Sequence, residues 1–358
     1  MKRRSVRIGI AVLMALGALG ETRATGRSVI TMRHAHRSNV LLQLLCLAAA
    51  LQACAIVLRD VKQYWIRTSS TLSSSEIHLT IDDSFIDTYK DRATIDVMFH
   101  VDQIDLLPHP PFWDGDFHIA GRAAKVGLPM VAEIENAAFE RAALDVIRAF
   151  KGTGKPLRLA GAWRIWSEHP GSLAEVQGEH VSRIEGTNPN HVFEIHPVTS
   201  VKDLSTLASF RPIVGYSPAK AEVAFKNFAG LPCQIRRDAR STTVVIDKGA
   251  INDVEFLMEV GEKPQRVVAD GRFVDAAALD LKGDRLAENL RMVFVKDSPP
   301  EMTVKNLKRG DRLHVFGLPR LDLAAVDYRA RHADAGPKAA TLNLPYEILI
   351  AAVYDVAN

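Results

Sequence analysis

Asp-Gly-Asp-Phe-His-Ile-Ala, residues 114–120, recurs later in the chain as Asp-Gly-Arg-Phe-Val-Asp-Ala, residues 270–276. A glycine follows the first aspartate of each stretch after 47 residues, at Gly161 and at Gly317. Both copies then reach an aromatic-Glu-Ile segment near their end, at 193–195 and 346–348. Self-similarity at a fixed spacing is typical of a duplicated structural unit. The sequence therefore predicts two tandem copies of one domain.

The pattern around the first stretch predicts three strands, one helix and two further strands. Alternating apolar residues indicate strands, and apolar residues at helical spacing indicate one amphipathic helix. The predicted elements are strands at 93–105, 117–122 and 128–134, a helix at 137–150, and strands at 157–166 and 192–201. This order is that of the OB barrel, a five-stranded Greek-key fold. We predict a mainly β protein with two tandem OB-like five-stranded barrels, each with one short helix.

The first 58 residues have the pattern of a signal and membrane-anchor region. Basic residues precede the short apolar run 8–20, and the uncharged run 40–58 is long enough to cross a bilayer. Translation from Met32 instead of Met1 would turn the second run into a signal sequence. We expect an exported protein of the cell envelope or periplasm, bound to the membrane through this segment.

Cys54 ends the segment Leu-Gln-Ala-Cys at 51–54, which resembles the lipobox of bacterial lipoproteins. The resemblance implies lipidation of Cys54. The alternative is that Cys54 is an ordinary apolar residue of an uncleaved anchor helix.

Composition divides the rest of the chain. Seven Ser or Thr residues between 68 and 75 indicate a flexible tether, and Ser217-Pro218 is a candidate helix start. The predicted parts are a signal and anchor region at 1–58, a tether at 59–88, a first OB-like domain at 89–203, a connector at 204–230 and a second OB-like domain at 231–358. Each copy carries its own complete set of strands, so we expect the second domain to fold alone.

Charge argues against a phosphate-tracking surface. Residues 1–39 hold eight of the 45 basic residues and one of the 42 acidic residues, which leaves 37 basic against 41 acidic residues and a net charge of −4 in the remainder. Nucleic-acid binding depends on clustered positive charge. We therefore expect nucleic acid to be a disfavoured partner, and an unknown protein or small ligand to be favoured.

Residues present in both copies are predicted to be scaffold, and residues found only in the first copy are candidates for a site. The shared set includes bulge glycines and an Arg–Glu pair between neighbouring strands, Arg164 with Glu194. Asp116, His118 and His196 have no counterpart in the second copy, where Arg, Val and Leu replace them.

The unshared residues could meet on one face of the first barrel. Alternation places Asp116 and His118 on one face of strand two, and Glu133 lies on strand three, between strands two and five. We predict that Asp116, His118, Glu133 and His196 converge on a divalent metal. The alternative is that the two histidines are only exposed or hydrogen-bonded. Trp163 and Trp166 are candidates for stacking on a ligand, or else for packing in the core.

Three local resemblances bear on function. Residues 307–317 resemble part of single-stranded-nucleic-acid-binding OB domains. The Asp-Gly-Asp-x-His element at 114–118 and the Glu-Ile-His-Pro-Val element at 194–198 resemble a group of uncharacterised exported bacterial proteins, for which no activity is implied. Asp-Gly-Asp is also similar to the calcium-binding turn of staphylococcal-type nucleases.

No Walker loop, nucleophile elbow, zinc Cys/His cluster or dinucleotide fingerprint occurs in the sequence. The leading hypothesis is therefore a non-enzymatic binding or scaffolding protein of the envelope. A metal-dependent, nuclease-like hydrolase that uses the first barrel is the alternative, and single-stranded nucleic-acid binding is the second alternative.

Overall fold

The structure is a computed structural model that describes residues 76–169, 174–332 and 342–357, all within the compact unit Thr71–Asn358. The described strands, in chain order, are β1 (Glu76–Asp82), β2 (Thr94–Ile104), β3 (Phe117–Arg122), β4 (Pro129–Ile134), β5 (Pro156–Ile165), β6 (Ala174–Val176), β7 (Phe193–Val201), β8 (Leu204–Ser205), β9 (Pro232–Arg237), β10 (Ser241–Asp247), β11 (Val254–Val260), β12 (Arg266–Val268), β13 (Gly271–Leu279), β14 (Arg285–Val295), β15 (Arg312–Leu321), β16 (Leu342–Asn343) and β17 (Tyr346–Ala357). The described α-helices are α1 (Asp83–Tyr89), α2 (Arg141–Phe150), α3 (Ala221–Gly230), α4 (Pro299–Val304) and α5 (Leu323–His332), with 3-10 turns at Ala137–Phe139 and Leu207–Ser209.

The predicted targeting region, with Cys54 and the Ser/Thr-rich run at 68–75, lies outside the described residues. Within the described ranges, no helix has both the length and the apolar character needed to span a membrane.

Two closed five-stranded barrels form the body of the protein, which confirms the predicted fold class. The first barrel pairs its strands in the order β4-β3-β2-β5-β7, and a parallel pairing of β4 with β7 closes it. The second barrel repeats this topology with β14-β13-β11-β15-β17, closed by β14 with β17. Helix α2 lies between β4 and β5 in the chain, and α4 lies between β14 and β15. Each barrel thus carries the one short helix that the sequence predicts.

The repeated glycines are scaffold residues with the same role in both barrels. A Cβ on Gly161 would lie 2.4 Å from Cγ2 of Ile195, and a Cβ on Gly317 would lie 2.4 Å from Cγ2 of Ile348. Both glycines lie at bulges where β5 meets β7 and β15 meets β17. Only a residue without a side chain allows the two strands to approach this closely.

A third sheet corrects the predicted boundaries. Its strand order is β16-β9-β10-β1-β6, so segments distant in sequence meet in it. Residues 76–88, assigned above to the tether, form β1 and most of α1, with Leu79 buried opposite Val244 of β10. Strands β9 and β10 belong to this sheet, so the second barrel begins at β11 and not at residue 231. The connector helix α3 begins at Ala221, after the predicted Ser-Pro start.

A buried arginine–glutamate pair occurs at the same place in both barrels. Nη1 of Arg164 is 2.5 Å from Oε2 of Glu194, and Nε of Arg320 is 2.6 Å from Oε1 of Glu347. All four side chains are buried. A buried charge is stable only when a partner and hydrogen bonds compensate it. The pairing expected between neighbouring strands is therefore present twice.

These arginines also join the barrels to each other. Arg164 donates from Nε to the carbonyl oxygen of Pro319 in the second barrel, at 2.9 Å. Arg320 donates from Nη1 to the carbonyl oxygen of Ala93, which directly precedes β2, at 3.0 Å. It also donates from Nη1 to the carbonyl oxygen of Trp163 in β5 at 2.9 Å. An apolar cluster from both barrels and the connector packs between them. The two copies therefore share a buried interface, which the expectation of independent folding did not include.

Candidate metal centre

Strand register brings the predicted metal residues together in the first barrel. His118 of β3 lies opposite Glu133 of β4. Strand β4 also pairs in parallel with β7, which carries His196. Asp116 directly precedes β3. Strand β4 lies between β3 and β7, so its Glu133 carboxylate can reach side chains on both.

Side-chain distances show that all four residues meet. Nδ1 of His196 is 3.0 Å from Oε2 of Glu133, and Nε2 of His196 is 3.4 Å from Oδ2 of Asp116. Nε2 of His118 is 3.5 Å from the other oxygen of Glu133. One donor atom each from Asp116, Glu133 and His196 lies within 4.8 Å of the other two, and all three residues are buried. We call these three residues the inner site.

Glu135 is a fifth ionisable residue of this region that the sequence reasoning missed. Its side chain is fully buried, and neither carboxylate oxygen has a hydrogen-bond partner among the described residues. The β3–β4 register, continued by one residue, places Glu135 opposite Asp116. The alternation Glu133-Ile134-Glu135 was the available signal, because residues two apart on a strand share a face.

Burial and neighbouring charges shift the pKa values of the cluster. Burial raises the pKa of Asp116 to about 7, although His196 opposes the change. Burial and the nearby Asp116 hold the pKa of Glu135 well above its usual range. Burial alone would lower the pKa of His118, but the carboxylates of Glu133 and Asp105 outweigh it and raise it to about 9. Without a metal, the cluster therefore retains protons near neutral pH.

The pKa of His196 shows the same balance. Burial would lower it, but Glu133, Asp116 and Glu194 outweigh burial and hold the pKa of His196 well above its usual range. The pKa of Glu194 lies well below its usual range because Arg164 and His191 outweigh its burial. Nε2 of His191 is 3.0 Å from Oε1 of Glu194. Glu194 is thus compensated by Arg164 and His191, so it is not counted among the residues of the inner site.

The connector covers one side of the inner site. Nδ2 of Asn136 donates to the carbonyl oxygens of Ser209 and Arg211, at 3.0 and 2.7 Å. A Cβ on Gly115 would lie 3.3 Å from Cγ2 of Ile213, and Gly115 has a φ of +73°, which favours glycine. The turn that leads into Asp116 is therefore held against the connector, and the inner site is closed to solvent on this side.

The same places in the second barrel are apolar. Val293 of β14 lies opposite Phe273 of β13 and beside Leu349 of β17, which takes the place of His196. All three side chains are buried. Arg272, which aligns with Asp116 in the sequence, instead forms an ion pair with Glu301, with 2.9 Å between Nη2 and Oε1. The inner site is thus a property of the first barrel only.

Trp163 and Trp166 are core residues, which corrects their assignment as ligand-stacking residues. Both rings are buried. Nε1 of Trp163 donates to the carbonyl oxygen of Arg92 at 2.8 Å, and Nε1 of Trp166 donates to that of Ile251 at 2.9 Å. The guanidinium of Arg320 covers the ring of Trp163 at 3.7 Å from its centroid. Neither ring therefore has a face open to a ligand.

Comparisons with known proteins add little to this geometry. No protein-family profile matches the chain, and no curated protein matches it. The resemblance to uncharacterised exported proteins therefore has no family match behind it.

Solved structures that resemble the chain include three of low similarity. One is described as structural mimicry for functional antagonism, with 10% identity, a TM-score of 0.17 and coverage of 74% of this chain and 95% of its own. Another is the Ifi202 HINa domain in complex with 20 bp double-stranded DNA, with 10% identity, a TM-score of 0.16 and coverage of 68% and 88%. The third is a murine DNA-binding protein bound to double-stranded DNA, with 12% identity, a TM-score of 0.16 and coverage of 74% and 99%.

Two of these three structures contain DNA, contrary to the expectation that nucleic acid is a disfavoured partner, and that expectation is not retained. At such TM-scores the matches carry no argument for a ligand of this chain.

Proposed function

We propose that the first barrel is a divalent-metal-binding domain and that the inner site, Asp116, Glu133 and His196, holds the ion. The observation that carries this proposal is the convergence of one donor atom from each residue within 4.8 Å in a buried place. Carboxylate oxygens suit Mn²⁺, imidazole nitrogen suits Fe²⁺ and Zn²⁺, and mixed sets of these donors bind all three.

Unpaired atoms around the inner site support the proposal. Within the described ranges, Oδ1 of Asp116 and both oxygens of Glu135 have no hydrogen-bond partner. A buried polar atom left without a partner costs about 1–3 kcal/mol. A cation bound among these atoms would remove part of that cost, and Glu135 offers it a further carboxylate.

The ordered surroundings of the inner site also support it. His118 contacts the second oxygen of Glu133 at 3.5 Å. Arg164 holds Glu194 on β7, two residues before His196. Partners of this kind orient metal ligands, and their loss commonly lowers metal affinity about 10- to 100-fold.

Metal-assisted hydrolysis is the reaction class that such a domain would serve, since a bound divalent ion lowers the pKa of a coordinated water and polarises an oxygen of the substrate. If the ion only stabilises the barrel, the protein is instead the non-enzymatic binding or scaffolding module considered above. Turnover of an activated phosphodiester with Mn²⁺ or Zn²⁺ present would favour the hydrolase.

Calorimetry and metal content of the full chain, stripped with a chelator and titrated with Zn²⁺ or Mn²⁺, test the inner site. Wild type should bind the ion, and His196→Ala should lose one equivalent. His314→Ala is the matched control, because His314 lies in the second barrel, where its Nε2 is 2.7 Å from Oε1 of Glu255. Affinity should fall as the pH is lowered, because the ligands must lose their protons to bind. Equal metal content in all three proteins would contradict the proposal.

Export and nucleic-acid binding remain separate proposals with their own measurements. Membrane fractionation, with Cys54→Ala as the comparison, tests anchoring through residues 1–58. Fluorescence anisotropy with single- and double-stranded oligonucleotides at two salt concentrations tests nucleic-acid binding, which should weaken at higher salt.

A further inference from the structure

A second group of metal-ligating side chains lies at the rim of the first barrel, around the loop between β2 and β3. Asp105 directly follows β2, His109 lies on the loop, and His118 belongs to β3. One donor atom from each of the three lies within 4.8 Å of the other two. Nδ1 of His118 is 3.2 Å, and Nε2 of His109 is 3.5 Å, from Oδ2 of Asp105.

A carboxylate already engages the far nitrogen of each histidine. Nδ1 of His109 is 2.8 Å from Oδ1 of Asp114, and Nε2 of His118 is 3.5 Å from Oε1 of Glu133. Metal-bound histidines almost always donate the other ring N–H to such a partner, which fixes the tautomer and the ring orientation. With that N–H on the far nitrogen, both near nitrogens present lone pairs to Asp105. A metal ion bound among the three would take the place of the protons that otherwise lie between these nitrogens and Asp105.

The backbone holds this arrangement in place. The N–H of His118 donates to Oδ2 of Asp105 at 2.9 Å, and the N–H of Asp105 donates to the carbonyl oxygen of His118 at 3.1 Å. The N–H of His109 donates to the carbonyl oxygen of Asp116 at 2.7 Å. The ligands are therefore fixed before any ion binds, which is what a metal site requires.

We infer that Asp105, His109 and His118 form a second divalent-metal site, which we call the rim site. It deepens the proposal of a metal domain, but its donors differ from those of the inner site, so the two can fail separately. Glu133 connects them, because it contacts His118 with one oxygen and His196 with the other.

The two sites differ in access to solvent. The His109 side chain is 22% exposed, whereas no side chain of the inner site exceeds 6%. Three protein ligands at an accessible place leave a coordination position for water or for a ligand, as in catalytic metal sites, whereas closed sites are structural. The rim ion is therefore the one that exchanges and meets a small molecule, and the inner ion organises the barrel.

Trp113 provides a reporter for the rim site. Its ring centroid is 5.7 Å from that of His109, and the residue is 60% exposed. A bound Co²⁺ ion, with its partly filled d shell, quenches an indole at such short range. The metal chosen for the test is therefore Co²⁺, added to the chelator-stripped full chain.

Metal content and tryptophan emission together distinguish the sites. Wild type and the control His314→Ala should bind two equivalents and lose emission. His109→Ala should bind one equivalent and lose the quenching, whereas His196→Ala should bind one equivalent and keep it. Trp113→Phe should bind two equivalents with the quenching abolished.

The rim site is overturned if His109→Ala binds as many ions as wild type, or if Co²⁺ leaves the emission of Trp113 unchanged. If only His196→Ala keeps the full metal content, the inner site fails and the rim site stands. Asp114→Asn preserves shape while it weakens the partner of His109, so it should lower the affinity of the rim ion about 10- to 100-fold without changing the number of ions bound. An unchanged affinity would contradict the role assigned to Asp114. Far-UV circular dichroism verifies that each variant is folded.

Discussion

Strands β3, β4 and β7 of the first barrel carry His118, Glu133 and His196 into one buried cluster, whereas the matching strands of the second barrel carry apolar side chains there. Topology, bulge glycines and the buried Arg–Glu pair are the same in both barrels. The second barrel shows that this fold closes without ionisable residues at these places. Buried carboxylates and imidazoles oppose folding unless they are compensated, so their presence in the first barrel calls for a function.

Separating the two barrels should have the largest effect on the stability of the fold. A fragment of residues 231–358 should fail to fold, because Arg320 would lose its acceptors on Ala93 and Trp163, and β10 would lose its partner β1. Residues 76–358 should unfold cooperatively with urea, followed by circular dichroism. A cooperative transition of the shorter fragment would restore the expectation of two independent barrels.

Removing Arg164 or Arg320 should lower the free energy of unfolding by nearly as much, and by a similar amount in both barrels. Arg164→Met and Arg320→Met each remove one of the partners of a buried glutamate, while His191 stays on Glu194 and Arg291 stays on Glu347. The free energy of unfolding should therefore fall by up to about 3–5 kcal/mol. Arg158→Met is the control, since Arg158 forms an exposed pair with Asp96 and should stay close to wild type. A large difference between the two buried variants in urea denaturation would show that the repeated pair has different roles in the two barrels.

The next largest effect is the pH dependence of stability, which should come from titratable residues that only the first barrel carries. In the metal-free protein the pKa of His118 is raised to about 9, so its proton stabilises the fold fully below about pH 6.5 and this contribution is lost as the pH rises through 9. Asp116, with a pKa raised to about 7, acts in the same direction at lower pH. Wild type should therefore be less stable at pH 9 than at pH 6, by on the order of 2 kcal/mol.

His118→Val removes the imidazole and should flatten this pH profile. Urea midpoints between pH 6 and 9 provide the measurement. Equal slopes for the variant and wild type would show that His118 is not the group responsible.

Glu135→Gln should have the smallest effect on the metal-free protein. Burial holds the pKa of Glu135 well above its usual range, so glutamine replaces a carboxyl that is already neutral, and the free energy of unfolding should change by less than about 1 kcal/mol. Metal affinity should nevertheless fall, since an amide is a weaker ligand than a carboxylate. A large loss of stability without metal would mean that Glu135 is ionised in the folded chain.

Local patterns predicted the strands of the first barrel well. The alternation at 93–105 corresponds to β2, and the predicted strand at 117–122 is β3. The predicted helix at 137–150 is instead a 3-10 turn followed by α2, because the chain leaves helical geometry at Glu140. Strand β1 was missed because its partner β10 lies far away in sequence and no local pattern records that pairing.

The candidate site was predicted only in part, because local patterns identify strand residues but not residues on loops. Period-two alternation and the strand order of an OB barrel were enough to group His118, Glu133 and His196. Glu135 shared that alternation with Glu133 and was overlooked. His109 had no such signal, because its position depends on how a loop folds back onto β3.

By itself, the sequence determined the duplication, the strand order within each barrel and the residues that only the first copy carries, because spacing and alternation are local or repeated properties of the chain. Only the tertiary structure decided that Trp163 and Trp166 are core residues, that the third sheet joins distant segments, and that the barrels share buried arginines. Those outcomes depend on contacts between residues far apart in sequence, which burial and hydrogen bonding select together when the whole chain folds.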